Sequence, residues 1–125
     1  MEPLLYAEET YLIRGAIFEV YREMGSGFLE PVYQECLQME FNRRNLPYVA
    51  KSELKLNYKG DPLIQTYEPD FVCFGKIILE LKAAKDIAPD HEAQLMNYLK
   101  ATGLRLGLLA NFGSHPDVEI VRRIL

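Results

Sequence analysis

Two carboxylates and one lysine lie on two neighbouring segments of this chain, and both segments read as β-strand. Asp70 falls in the aromatic and β-branched stretch YEPDFVCF, whereas Glu80 and Lys82 fall in the following stretch KIILELK. Gly75 separates the two stretches and predicts a hairpin turn. Because paired positions in an antiparallel ladder sum to a constant, this hairpin places Asp70 within about one residue of facing Glu80.

The predicted hairpin brings like charges together, which indicates cation binding. Glu80 and Lys82 are two residues apart and share one strand face, while the other face carries apolar residues (Ile77, Leu79 and Leu81). Like charges facing each other destabilise a sheet, so the carboxylates beside Lys82 suggest a bound cation. The alternative is that Asp70 and Lys82 form a cross-strand ion pair with Glu80 on a solvated face. Taken without any motif, these three residues favour that alternative.

Length, composition and charge limit the number of domains and the kinds of partner that we expect. The chain has 125 residues, a formal charge of −4 and a pI near 5.2. We expect a single domain over residues 1–125, with no global attraction to nucleic acid. Cys36 and Cys73 are far apart and form no metal-ligand spacing, so both are expected to be small core residues in a reducing compartment.

No targeting or membrane segment is evident. Met1-Glu2-Pro3-Leu4 does not pair a basic region with an apolar run, so we expect no secretory signal. No stretch approaches the roughly 20 apolar residues of a membrane span. The expected location is the cytoplasm.

Apolar periodicity predicts helices and strands in an α/β order. A strand–helix–strand unit running from Glu80 through the third helix to Leu109 predicts a right-handed crossover, so we expect a mixed β-sheet flanked by helices. The predicted elements are helices over 8–24, 29–44 and 89–102, a strand over 48–58, the two strands around Asp70 and Glu80, a strand over 104–110 and an edge strand over 118–125.

Lysines recur every four residues at Lys51, Lys55 and Lys59. On one strand they would form a row on a single face. Such a row could follow a phosphate backbone or could protect a sheet edge, and the sequence favours neither.

Three motifs in order resemble one nuclease family. Asp70 followed by Glu80-x-Lys82 resembles the PD-(D/E)xK motif of the restriction-endonuclease-like superfamily. Upstream, Gly27-x-x-Glu30-x-x-Tyr33 is similar to the pattern of its small GxxExxY proteins. Downstream, Gln94-x-x-x-Tyr98 is similar to an element on the helix that follows the active-site strands in several branches. The resemblance covers roughly residues 13–112.

The resemblance implies a restriction-endonuclease-like core with the order αβββαβ and a divalent-metal site at the hairpin. Mg²⁺ or Mn²⁺ would be held by Asp70, Glu80 and the backbone carbonyl of Leu81, since Mg²⁺ usually takes one or two carboxylates and keeps several waters. Lys82 would orient or deprotonate the attacking water, or stabilise developing charge, and Glu30 would be a further ligand or would orient water.

Three more residues are candidates for substrate binding, each with a structural alternative. Gln94 and Tyr98 lie one turn apart on a helix face that could point to the site or to substrate phosphate. Tyr98 could equally pack beside Leu95 and Leu99. Tyr33 lies on the apolar stripe of its helix, which favours packing. Glu30 also has a structural alternative, because an acidic residue in the first turn of a helix interacts favourably with the helix dipole.

Two classes of function follow. The first is a metal-dependent nuclease acting on DNA or RNA, with DNA favoured, as a monomer or a homodimer. The second is a non-catalytic module that binds nucleic acid or a protein partner. The intact Asp70, Glu80 and Lys82 favour the first class, while the acidic balance and small size count against an efficient stand-alone nuclease. A metal-binding fold with another phosphoester substrate stays open.

Overall fold

The computed structural model describes residues 4–125, so the expectation drawn from Met1-Glu2-Pro3 lies outside the described residues. Over this range two helices are followed by five strands, a third helix and two final strands. In chain order the elements are α1 (Ala7–Met24), α2 (Glu30–Arg43), β1 (Tyr48–Ala50), β2 (Leu54–Tyr58), β3 (Asp61–Tyr67), β4 (Phe71–Cys73), β5 (Ile77–Lys82), α3 (Pro89–Thr102), β6 (Leu106–Asn111) and β7 (Glu119–Ile124).

Five strands form a mixed sheet, which confirms the predicted fold class. Its order is β1-β4-β5-β6-β7, with β5 and β6 parallel and the other neighbours antiparallel. The parallel pair is joined through α3, as expected for a strand–helix–strand unit. Strands β2 and β3 form a separate two-stranded sheet.

The prediction of one strand over 48–58 is wrong. Lys51 breaks it by adopting a φ of +55°, in the left-handed region, directly after β1. The chain then leaves the main sheet and pairs as β2 with β3 around a turn in which Lys59 and Gly60 both have positive φ. Lys51 therefore does not share a strand face with Lys55 and Lys59, and the predicted lysine row is not formed.

Each face of the sheet packs against a different layer. On one face, Ile77, Leu79 and Leu81 join a core formed with α1 and α2, while Ile78 on the other face packs with residues of α3. The alternation along β5 therefore places Glu80 on the face opposite Ile77, Leu79 and Leu81, as predicted, and this face is the α3 side. None of the helices within residues 4–125 combines the length and apolar character needed to cross a membrane.

The connection after β6 passes very close to the segment that follows β5. A Cβ built on Gly113 would collide with the backbone of Ala84, whose carbonyl oxygen is nearest and whose nitrogen is 2.6 Å away. At Gly107, a Cβ would instead meet the Leu95 side chain, with its nearest atom 2.7 Å away. A backbone cannot yield as a side chain can, so only glycine is compatible with the packing at Gly113.

We predict that Gly113→Ala lowers the free energy of unfolding by about 1–3 kcal/mol, the usual cost of overpacking. Gly107→Ala is the matched control and should cost less, because Leu95 can change rotamer. Urea denaturation of both variants measures the difference. Equal losses in the two proteins would contradict the close backbone approach.

Candidate active site

The register of the β4–β5 hairpin brings the two acidic residues together. Phe71 pairs with Leu79 and Val72 with Ile78. Continuing that register by one residue places Asp70 opposite Glu80, in agreement with the expected geometry. The turn lies at Phe74 and Gly75, both with positive φ, where the backbone N–H of Lys76 donates to the Cys73 carbonyl.

Each carboxylate accepts a backbone hydrogen bond from the opposite side of the hairpin, and Glu80 accepts a further one from β3. Glu80 Oε1 accepts a hydrogen bond from the backbone N–H of Asp70, at 3.1 Å, and another from the hydroxyl of Tyr67, at 2.8 Å. In return, Asp70 Oδ2 accepts the backbone N–H of Leu81, at 2.7 Å. These reciprocal bonds fix both acidic side chains at the open end of the hairpin.

The environment of Glu80 raises its pKa. Burial is the main cause, and the negative charge of Asp70 adds to it. The Tyr67 hydroxyl, the Asp70 N–H and the Lys82 charge act in the opposite direction. Burial also raises the pKa of Tyr67, helped by the Glu80 charge, so this hydroxyl stays a proton donor at neutral pH.

Two lysines flank the carboxylates in different ways. Lys51 Nζ forms an ion pair with Asp70 Oδ1 at 3.0 Å, and this contact with Asp70 raises the pKa of the lysine. Lys82 lies on the Glu80 face of β5, and over residues 4–125 its ammonium makes no side-chain hydrogen bond or ion pair. The Lys82 ammonium is therefore available to a ligand, whereas that of Lys51 is engaged.

A cleft of about 780 Å³ opens between α2 and the Asp70 end of the hairpin. Glu30, Gln34, Lys51, Asp70 and Leu81 are among its lining residues. Gln34 Nε2 donates to the Asp70 carbonyl at 3.2 Å, while its Oε1 is buried and has no hydrogen-bond partner within residues 4–125. The cleft thus presents the Asp70 carboxylate, with an unsatisfied amide oxygen buried behind its wall.

The residues of the Gly-x-x-Glu-x-x-Tyr motif occupy different environments. Glu30 is exposed at the start of α2 and lines the cleft. Tyr33 is fully buried; its ring stacks on Phe112 at 4.4 Å and its hydroxyl donates to the Gly25 carbonyl. This position leaves Tyr33 no surface for direct contact with substrate and matches the packing alternative.

Gln94 and Tyr98 do not lie in the α2 cleft. They line a separate shallow groove on α3. Tyr98 nevertheless connects to the acidic pair, since its ring stacks on Tyr67 at 3.7 Å with an interplanar angle of 4°. Tyr67 in turn donates to Glu80. Gln94 is exposed and shares only the groove with Tyr98.

Tyr67 and Gln34 escaped the sequence analysis, and Lys51 was predicted only as part of a lysine row and not as a partner of Asp70. Tyr67 ends β3 and reaches Glu80 only because the chain bends between β3 and β4. Lys51 reads as one of three evenly spaced lysines. Gln34 follows Glu30 by one helical turn, and that spacing was a usable signal, because residues four apart share a helix face.

The donor set fits a hard divalent cation. Asp70 and Glu80 offer carboxylate oxygens, and within residues 4–125 no cluster of three or more histidine, cysteine or acidic side chains is placed to bind a metal. Mg²⁺ or Mn²⁺ can accept so small a protein contribution because water completes the shell. A zinc site, with its three or four protein ligands, does not fit these residues. The ammonium of Lys51 on Asp70 Oδ1 shows that this oxygen attracts a cation.

We predict that Tyr67→Phe lowers the free energy of unfolding by about 1–2 kcal/mol, because Glu80 loses a hydrogen bond while the stacked ring is kept. Tyr98→Phe is the matched control. It keeps the same stack, and the Tyr98 hydroxyl makes no hydrogen bond within the described residues. Thermal unfolding in EDTA compares the two, and equal effects would contradict the proposed importance of the Tyr67–Glu80 bond.

Glu80 should give the protein a pH-dependent stability. Its pKa in the folded state lies above the ordinary value of 4.5. As the pH rises above that value, the unfolded chain releases a proton that the folded state still holds, so stability falls until the raised pKa is passed. Glu80→Gln cannot titrate and should become increasingly stable relative to wild type across this window.

Thermal unfolding in EDTA over a pH series tests this expectation, with Glu119→Gln on the exposed edge strand as the control. Parallel curves for wild type and Glu80→Gln would show that Glu80 does not titrate abnormally.

Comparison with known families agrees with this geometry. A family model described as the PD-(D/E)XK nuclease superfamily matches residues 7–124, from α1 to the end of β7. Searches of curated proteins and of solved structures gave no match. The mixed sheet flanked by helices is consistent with the restriction-endonuclease-like fold of that superfamily, and the matched residues include Asp70, Glu80 and Lys82. The chain belongs to the PD-(D/E)XK nuclease superfamily.

Proposed function

We propose that this protein is a metal-dependent nuclease that hydrolyses phosphodiester bonds in DNA or RNA. The observation that carries the proposal is the pair of hydrogen bonds from the Asp70 N–H to Glu80 and from the Leu81 N–H to Asp70, which keeps two carboxylates side by side although their charges repel. Superfamily membership supports the same activity. A fold without need of a cation would gain stability by replacing one of these acids.

Asp70, Glu80 and the Leu81 carbonyl are the proposed ligands of Mg²⁺ or Mn²⁺. When bound, such an ion lowers the pKa of water in its shell and offsets negative charge on the phosphate. The protein supplies the orientation of the ligands: the Leu81 N–H holds Asp70, and Tyr67 with the Asp70 N–H holds Glu80.

Lys82 and Glu30 are the proposed catalytic residues beside the ligands. The Lys82 ammonium is not engaged by a carboxylate, so it can donate hydrogen bonds to the attacking water or to a phosphate oxygen whose charge increases. Glu30 projects from the start of α2 into the cleft, where its carboxylate can orient water or add an oxygen ligand.

The remaining candidate residues take supporting roles in this proposal. Gln94 and Tyr98 would contact substrate from the α3 groove, and Tyr98 also steadies Tyr67. Tyr33 is proposed as a positioning residue, because its hydroxyl holds the Gly25 carbonyl and receives the Phe28 N–H just before Glu30. The three motifs together favour a protein of the GxxExxY type.

DNA is the favoured substrate, and we propose a single cytoplasmic domain that acts alone or as a homodimer. With a formal charge of −4, attraction to a phosphate backbone must be local. A bound divalent ion together with Lys82 would provide that local positive charge.

A second function is favoured by one observation. Lys51 forms an ion pair with Asp70 and so offsets its charge from within the chain, as a non-catalytic nuclease fold would require. Such a module would bind nucleic acid or a protein partner and would not cleave.

Titration of Mn²⁺ by calorimetry separates these functions at the metal step. We predict one binding site in wild type that is lost in Asp70→Ala. The control is Asp61→Ala, which removes an exposed carboxylate at the β2–β3 turn and should keep the site.

Cleavage of labelled single- and double-stranded DNA and RNA then tests catalysis. Lys82→Ala should keep Mn²⁺ binding and lose about 100-fold or more in rate.

Lys100→Ala, on the exposed face of α3, is the control for the loss of one lysine and should cleave at the wild-type rate. Cleavage by Lys82→Ala at the wild-type rate would contradict the role of this lysine. Nucleic-acid binding without cleavage in any metal would support the non-catalytic module.

A further inference from the structure

Lys51 is attached to Asp70 twice, through its backbone and through its side chain. The register of β1 with β4 pairs Ala50 with Phe71, so the next residues, Lys51 and Asp70, come side by side. The Lys51 N–H donates to the Asp70 carbonyl at 3.1 Å. The left-handed backbone at Lys51 then turns the chain toward β2. The position of this lysine is therefore determined by the same hairpin that carries the acidic pair.

The Lys51 ammonium occupies an oxygen that the proposed metal needs. Its Nζ lies 3.0 Å from Asp70 Oδ1, and the other oxygen of Asp70 already accepts the Leu81 N–H. A divalent cation bound at Oδ1 and an ammonium at this distance would repel each other strongly. The lysine and the metal therefore exclude each other at this oxygen.

The Lys51 side chain has room to move. It is 53% exposed, whereas the Asp70 side chain is 19% exposed. It lines the α2 cleft together with Glu30 and Gln34. A flexible four-carbon stem at a cleft wall can release Asp70 and carry its charge toward a ligand in the cleft without any change in the backbone.

We propose that Lys51 is a built-in competitor of the metal, which holds Asp70 while the site is empty and moves into the cleft, toward substrate phosphate, when a divalent cation binds. The inference rests on the proposed function, since it assigns a role toward the same metal site. It follows that phosphate in the cleft draws the lysine from Asp70 and so tightens metal binding, and that metal in turn tightens phosphate binding.

Calorimetric titration of Mn²⁺ into metal-free protein tests the proposal. We predict that Lys51→Met binds Mn²⁺ about fivefold more tightly than wild type, the factor expected when one exposed ion pair no longer competes. Lys51→Gln, which is neutral but still polar, should show the same gain. Lys55→Met is the control: it removes one positive charge from the exposed β2–β3 hairpin and should leave the affinity unchanged.

Thermal unfolding provides a readout that is independent of activity. In EDTA, Lys51→Met should melt below wild type, because Asp70 loses its cation partner. With saturating Mn²⁺ this deficit should shrink or vanish, since the metal replaces the lysine. A purely structural ion pair would give a deficit that Mn²⁺ does not reduce.

The outcomes separate the two proposals. Wild-type binding that depends on Asp70, with unchanged or weaker binding in Lys51→Met and Lys51→Gln, would overturn the competition and leave the metal site intact. Failure of wild type and both Lys51 variants to bind Mn²⁺ would overturn the metal site itself, and with it the inference.

Discussion

The exchange of hydrogen bonds between Asp70 and the Glu80–Leu81 segment is the constraint on which the rest of the site depends. A backbone N–H from each strand binds the carboxylate of the other, so two acids that repel are held within one hydrogen-bonded unit. That arrangement requires the β4–β5 register, and the register requires the tight turn at Phe74 and Gly75. Changing the turn by one residue would move every side chain of β5 to the opposite face.

The two layers around the sheet support different halves of this unit. On the α3 side, the stacked pair of Tyr67 and Tyr98 places a hydroxyl on Glu80 in a partly buried setting. On the α2 side, Gln34 and Lys51 hold Asp70 in an open cleft. One carboxylate is therefore desolvated and the other is accessible, and this difference explains why the pKa of Glu80 is raised by burial first and by the charge of Asp70 second.

Much of the fold could be predicted from the sequence, because the residues that begin and end its helices and turns act locally. Pro89 and Gly103 bound α3, and Gly75 marks the hairpin that brings Asp70 to Glu80. The break at Lys51 could not be predicted, since the alternation of apolar residues runs through it and a lysine rarely adopts positive φ. Which sheet β2 joins depends on packing against α3, and that is information the local pattern does not carry.

The site was predictable to the extent that its residues lie on one hairpin. Asp70, Glu80 and Lys82 are fixed by register alone, whereas Lys51, Tyr67 and Gln34 arrive from three other elements. Burial also decides between alternatives that periodicity leaves open. Tyr33 packs in the core, while Tyr98, on a stripe of similar character, lines a surface groove.

The most direct test of the central claim is anomalous diffraction from crystals of the protein soaked in Mn²⁺. The account predicts one strong peak in contact with the carboxylates of Asp70 and Glu80, with the Lys51 ammonium moved away from Asp70. Saturating Mn²⁺ with no peak at the hairpin, and Lys51 still paired with Asp70, would contradict it.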